Sequence, residues 1–156
     1  MMVVSILVPV CAGLLLLSPG WKNRKNLCIY TAIALALSGV LALVALLVTK
    51  DNVPVTVFSL TKSLPVLFKA DGISRFFAVV TTVVWLAAGL YSFSYMSHEQ
   101  REKGYYGFYL MVYGILLGLD FAGNLITFYI FYELMTLLSL PLVLHTRTKE
   151  AVLAGL

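Results

Sequence analysis

Charge is what this sequence has least of. Asp, Glu, Lys and Arg make up 12% of its 156 residues, against about a quarter in soluble domains. Hydrophobic residues make up 61%, and mean hydropathy is +0.96. That balance excludes a water-soluble globule and points to an integral membrane protein. Cysteine is nearly as sparse. Cys11 and Cys28 stand singly in apolar runs without CxxC spacing, so they read as small buried hydrophobes. His98 and His145 lie in separate polar segments and form no ligand pair. No Gly-rich phosphate loop, HExxH or GxSxG occurs, and no basic stripe interleaved with aromatics. The chain therefore offers no cofactor or metal site of its own, no paired nucleophile and base, and no nucleic-acid surface.

What is present is a series of long uncharged runs, the pattern of an all-α membrane domain filling residues 1–156. The first run, 2–18, ends at Ser18-Pro19-Gly20-Trp21, a helix stop with an interfacial Trp. Its basic cluster, Lys22, Arg24 and Lys25, follows the apolar stretch, which favours a span over a signal peptide. The second, 27–49, is roughly 34 Å of helix, enough for a bilayer core of about 30 Å. A third span is expected over 73–96, with Asp71 as its N-cap. A fourth, 105–119, opens on Tyr105 and Tyr106, an aromatic belt at the headgroups, and carries Gly114-x-x-x-Gly118, a close-packing motif. Asp120 closes it at the far surface. A fifth covers 122–144, and a truncated sixth helix begins near 148. The one long connection, 50–72, holds the β-prone runs VPVTVF and SLPVLF either side of a polar Ser59–Lys62 region. These predict a short extramembrane β-hairpin between helices 2 and 3, with an irregular interfacial loop as the alternative.

Orientation follows from Lys and Arg. The connections 1–2, 3–4 and 5–6 carry Lys22, Arg24, Lys25, Arg101, Lys103, Arg147 and Lys149. The opposite side carries Lys50, Lys62, Lys69 and Arg75. The excess places the short loops in the cytoplasm and the N-terminus outside the cell membrane.

One residue breaks the pattern. Glu133 stands in FYIFYELMTLLSLPLV (128–143), eleven residues from Ala122 and eleven from Leu144, hence near the bilayer midplane. An ionised side chain there costs about 2.5–3.5 kcal/mol or more, unless a proton, a cation or internal water offsets it. Tyr129, four residues before, and Thr136, three after, share its helical face. Pro141 leaves the Leu137 carbonyl without its usual donor and is expected to kink the helix, giving a polar face suited to ordered water. Spans one to four hold no Lys or Arg away from their ends, so the cation must come from elsewhere. Two roles stay open on the residues alone: a proton or ion relay, or a protonated hydrogen-bonder holding helices together.

Three segments, FKADGISRFFAVVTTVVWLAAGLYSFSYM (68–96), AGNLITFYIFYELMTLLSLPLV (122–143) and HTRTKEAVLAGL (145–156), resemble the antiporter-like proton-pumping subunits. These are the large membrane subunits of respiratory complex I, of energy-converting hydrogenases and of multisubunit Na+/H+ antiporters. The resemblance covers most of residues 50–156; the first two spans match in hydrophobicity alone. It implies that Glu133 pairs with a lysine on a later, seventh helix, and that protons pass along a hydrated axis at mid-membrane. It also implies an extracytoplasmic N-terminus, a hairpin after helix 2, and other membrane subunits as partners alongside the lipid bilayer. The family continues well past the point matching Leu156, so the expectation is a fragment, a split subunit completed by another polypeptide, or a remnant. The alternative function is a non-conducting membrane scaffold or assembly subunit of such a complex.

Overall fold

A computed structural model describes residues 1–20, 23–49, 53–61, 64–96 and 102–144. It contains five helices and a hairpin: α1 (Met2–Leu17), α2 (Arg24–Val48), β1 (Val55–Thr61), β2 (Leu64–Phe68), α3 (Gly72–Tyr95), α4 (Glu102–Asp120) and α5 (Leu125–Val143). The expected sixth helix, from 148, lies outside the described residues.

By length and composition, three of these helices can cross a membrane: α2, α3 and α5. The five expected spans are reduced accordingly. α1 has 16 residues, about 24 Å of rise, less than a hydrocarbon core. α4 is the least apolar of the five, for a physical reason: protein surrounds it. Eleven of its residues are buried, among them the run Tyr109–Ile115. A helix lined by other helices needs less apolar surface than one facing lipid.

α4 sits this deep because glycine lets its neighbours close in. A Cβ on Gly114 would stand 2.6 Å from both the Ile6 carbonyl and Val10 Cγ2 of α1, while Gly13 of α1 presses on the Gly107 carbonyl of α4. Gly118 turns to another partner, seating the Phe131 ring of α5 against its backbone. The Gly114-x-x-x-Gly118 pair thus serves two contacts, one on each neighbouring helix. Without a hydrophobic drive between helices in lipid, such close backbone approach is a main source of association.

On its remaining side α4 hydrogen-bonds to α3. Tyr106 donates to the Ser92 carbonyl (3.2 Å), Tyr109 to the Trp85 carbonyl (2.6 Å), and Tyr113 to the Thr82 hydroxyl (3.0 Å). Trp85 Nε1 answers by donating to the Tyr109 carbonyl at 3.1 Å, and its ring stacks on Tyr109. The aromatic belt expected at Tyr106 is therefore corrected. Tyr106, Tyr109 and Tyr113 are buried, because spacings of three and four residues place them on one helical face, turned towards α3.

The hairpin forms as an antiparallel pair with Val55 opposite Phe68 and Thr61 opposite Leu64. β1 runs through Ser59–Thr61, which the sequence assigned to the polar separator; the rest of that separator lies outside the described residues. The pair is anchored to the α4–α5 connection. Lys69 N–H donates to the Phe121 carbonyl (2.8 Å) and Gly123 N–H to the Leu67 carbonyl (3.0 Å). The connection is held against β2 through an isolated Phe68–Ala122 bridge, and α5 begins at Leu125, later than the expected 122. Asn124 caps it, its Oδ1 accepting from Thr127 N–H at 2.8 Å, while its Nδ2 donates to the Pro65 carbonyl. Thr127 Oγ1 in turn accepts from Leu67 N–H.

Candidate functional site

α5 is apolar along its length, yet only Thr127 of its 19 residues is buried. Phe131 supplies its inner contact, edge-on to Phe68 with centroids 5.5 Å apart. Everything past Phe131 is bare or half-bare. Glu133 lies on this uncovered side, eight residues after Leu125 and ten before Val143. Its mid-helix position persists although α5 starts later than the sequence indicated. Among the described residues no side chain donates a hydrogen bond to its carboxylate and none forms an ion pair with it.

The residues flanking it fall where helical periodicity puts them. Tyr129 is 60% exposed and Thr136 is exposed, both on the side that bears Glu133. The Thr136 hydroxyl donates to the Tyr132 carbonyl at 3.0 Å, and Ser139 donates to the Thr136 carbonyl at 2.9 Å. These hydroxyls bond their own backbone and leave the carboxylate alone. Phe128 and Tyr132 stack at 6.4 Å, and with Leu125, Ile126 and Tyr129 they border an open apolar hollow of about 520 Å³. Pro141 lies within the helix, which continues to Val143. The arrangement is one carboxyl on a largely apolar face that the described residues do not cover.

The other residues singled out in the sequence sit apart from it. Asp71 caps α3, its carboxylate accepting from Ser74 N–H at 2.9 Å with Lys69 Nζ 3.9 Å away. The Ser74 N–H holds its carboxyl below the ordinary value. Gly114 and Gly118 face α1 and Phe131. Asp120, expected at the far surface, is partly enclosed, and its Oδ2 is buried without a hydrogen-bond partner. Sequence reasoning missed the tyrosine contacts to α3, although their spacing along α4 carried the signal.

Three helices long and apolar enough to cross a membrane mark a multi-pass membrane protein, and its similarities run to the antiporter-like subunits that the residues suggested. Residues 57–109 match the family described as NADH-ubiquinone oxidoreductase (complex I), chain 5 N-terminus. That match takes in the hairpin, α3 and the first part of α4. The chain is 33% identical over 85 residues to the Na(+)/H(+) antiporter subunit A1 of Staphylococcus haemolyticus, covering 54% of this chain and 11% of that protein. It is 38% identical over 66 residues to the subunit A1 of Staphylococcus saprophyticus, covering 42% of this chain and 8% of that protein. The chain thus spans about a tenth of the curated relatives it matches. Its fold superposes on a chain of respiratory complex I from Thermus thermophilus with a TM-score of 0.75 and 25% identity, over 99% of this chain and 31% of that one. A chain of the membrane-bound sulfane sulfur reductase, an archaeal respiratory membrane complex, shares the fold at the same TM-score with 18% identity.

Proposed function

We propose that this chain is the N-terminal part of a proton- or Na+/H+-translocating membrane subunit in a redox-driven or antiporter complex. Glu133 is one half of a mid-membrane ion pair and proton relay. The carrying observation is its placement in the middle of α5, on a face with no partner among the described residues. The similar proteins, antiporter subunit A1 and a chain of respiratory complex I, supply the activity class.

The chemistry follows from the cost of a carboxylate in lipid. With a lysine close by on a helix beyond this chain, the carboxylate stays ionised. When the cation withdraws, the desolvated carboxylate takes up or hands on a proton. Redox chemistry in attached subunits, or a sodium gradient, drives the change. Tyr129, Thr136 and the carbonyl freed by Pro141 line the hydrated side of this path. In this reading all five helices cross the cell membrane. α4 does so shielded by its neighbours and α1 with Val4, Leu7, Leu14 and Leu15 turned outward; the N-terminus and hairpin lie outside. Other membrane subunits of the complex are its partners, and the lysine stands on a helix outside the described residues.

The test is Glu133→Gln in the assembled complex, read as proton translocation in inverted vesicles alongside complex yield. Translocation is expected to fall at least about tenfold with yield unchanged, since the neutral side chain keeps the shape and removes the exchangeable charge. Wild-type translocation would refute the relay and favour a non-conducting scaffold.

A further inference from the structure

Arg24 and Lys25 open α2 with two positive charges. The structure adds a cleft beside them. Asn23, Arg24 and Lys25 form the rim of an open cleft of about 580 Å³, whose wall continues as Cys28 and Ile29 of α2 and Phe93 of α3. Arg24 is fixed there. Its Nε donates to both Glu102 oxygens, at 2.7 and 2.9 Å, and its Nη2 reaches the Phe93 carbonyl at 3.4 Å. Its side chain nonetheless remains 50% exposed, while that of Glu102 is 12% exposed. Lys25 is exposed on the same rim.

Two features decide what such a cleft accepts. Arg24, Lys25 and Glu102 leave one net positive charge at the rim, which favours a ligand of net negative charge over a zwitterion. The adjoining wall is apolar, and Ile29 is 55% exposed on a helix long enough to cross a bilayer. A small soluble anion would use the rim and leave that wall wet. A molecule with a phosphodiester at one end and hydrocarbon at the other uses both. We infer that this cleft binds an anionic glycerophospholipid, its phosphate against Arg24 and Lys25 and the start of an acyl chain along Ile29 and Phe93. The inference does not depend on the role assigned to Glu133.

The test places the full chain in nanodiscs of phosphatidylcholine with or without phosphatidylglycerol, and counts retained lipid by native mass spectrometry after delipidation. One phosphatidylglycerol per chain is expected to persist in the wild type and in Lys25→Arg. Lys25→Glu reverses a charge at an exposed position, and retention is expected to drop about tenfold or more. Ile29→Trp fills the apolar wall without changing charge; it is expected to lower retention too, and it serves if the charge variant fails to insert. Inorganic phosphate at high excess is expected to leave the lipid in place. Equal retention of phosphatidylcholine and phosphatidylglycerol, wild-type retention in Lys25→Glu, or displacement by inorganic phosphate would each overturn the assignment.

Discussion

α4 and α5 are neighbours in the chain and equal in length at 19 residues, yet they are treated oppositely. α4 is enclosed by α1, α3 and Phe131, and its three buried tyrosines find hydrogen-bond acceptors on α3. α5 touches its chain near its start, at Phe131 and through Leu142 near its end, and carries Glu133, Tyr129 and Thr136 on an open side. The three tyrosine hydroxyls of α4 are answered from within the chain and serve stability. The Glu133 carboxylate of α5 has no partner among the described residues, and the proposed relay takes that partner from another helix. Polar content alone would not separate the two, since α4 is the more polar helix; the location of the partners does.

The largest effect that sharpens this contrast is steric. Gly114→Ile drives a branched side chain into the Ile6 carbonyl and Val10, and is expected to destabilise the α1–α4 pair by about 3 kcal/mol. Leu137→Phe on the open side of α5 is expected to be neutral. Denaturation of the purified chain in detergent, followed by circular dichroism, compares them. A Gly114→Ile chain as stable as wild type would break the contrast.

Next is Asp71, which fixes where α3 begins and so where the acceptors for α4 stand. Asp71→Ala removes the bond from Ser74 N–H and is expected to cost about 1 kcal/mol at neutral pH. The folded-state value of Asp71 lies below its ordinary 3.8. The cap therefore stabilises fully above that ordinary value and is lost as pH falls through the lower, folded one. The gap between wild type and variant, read from parallel denaturation curves, is expected to close in strong acid. A gap that widened there would assign the cap to another group.

The smallest effect compares two tyrosines. Tyr113→Phe forfeits the bond to Thr82 and is expected to lose about 0.6 kcal/mol, whereas Tyr129→Phe is expected to lose nothing in the isolated chain. Equal losses would show that α5 is internally supported after all.

Much of this was legible in the sequence, and the rest has physical reasons for being hidden. The long uncharged runs located all five helices, and the β-prone runs VPVTVF and SLPVLF located the hairpin. Counting residues around Glu133 located it mid-helix. Three particulars were not legible. The late start of α5 depends on Phe121 and Gly123 pairing with β2, a contact between residues over fifty positions apart. The burial of Tyr106, Tyr109 and Tyr113 reverses the usual meaning of membrane tyrosines, because the near side of α3 offered carbonyls and a hydroxyl. The division of Gly114 and Gly118 between two helices depends on tertiary packing, which a four-residue spacing does not encode.

The central claim is that the face of α5 bearing Glu133 is completed by another helix in the assembled complex. It is tested most directly by Leu137→Cys, at a position 64% exposed beside that carboxyl, with Cys11 and Cys28 replaced by Ala. A membrane-soluble thiol reagent is expected to label the isolated chain readily and the assembled complex at least about tenfold more slowly. Equal labelling in both states would mean that this face meets lipid throughout, and that Glu133 has no partner there.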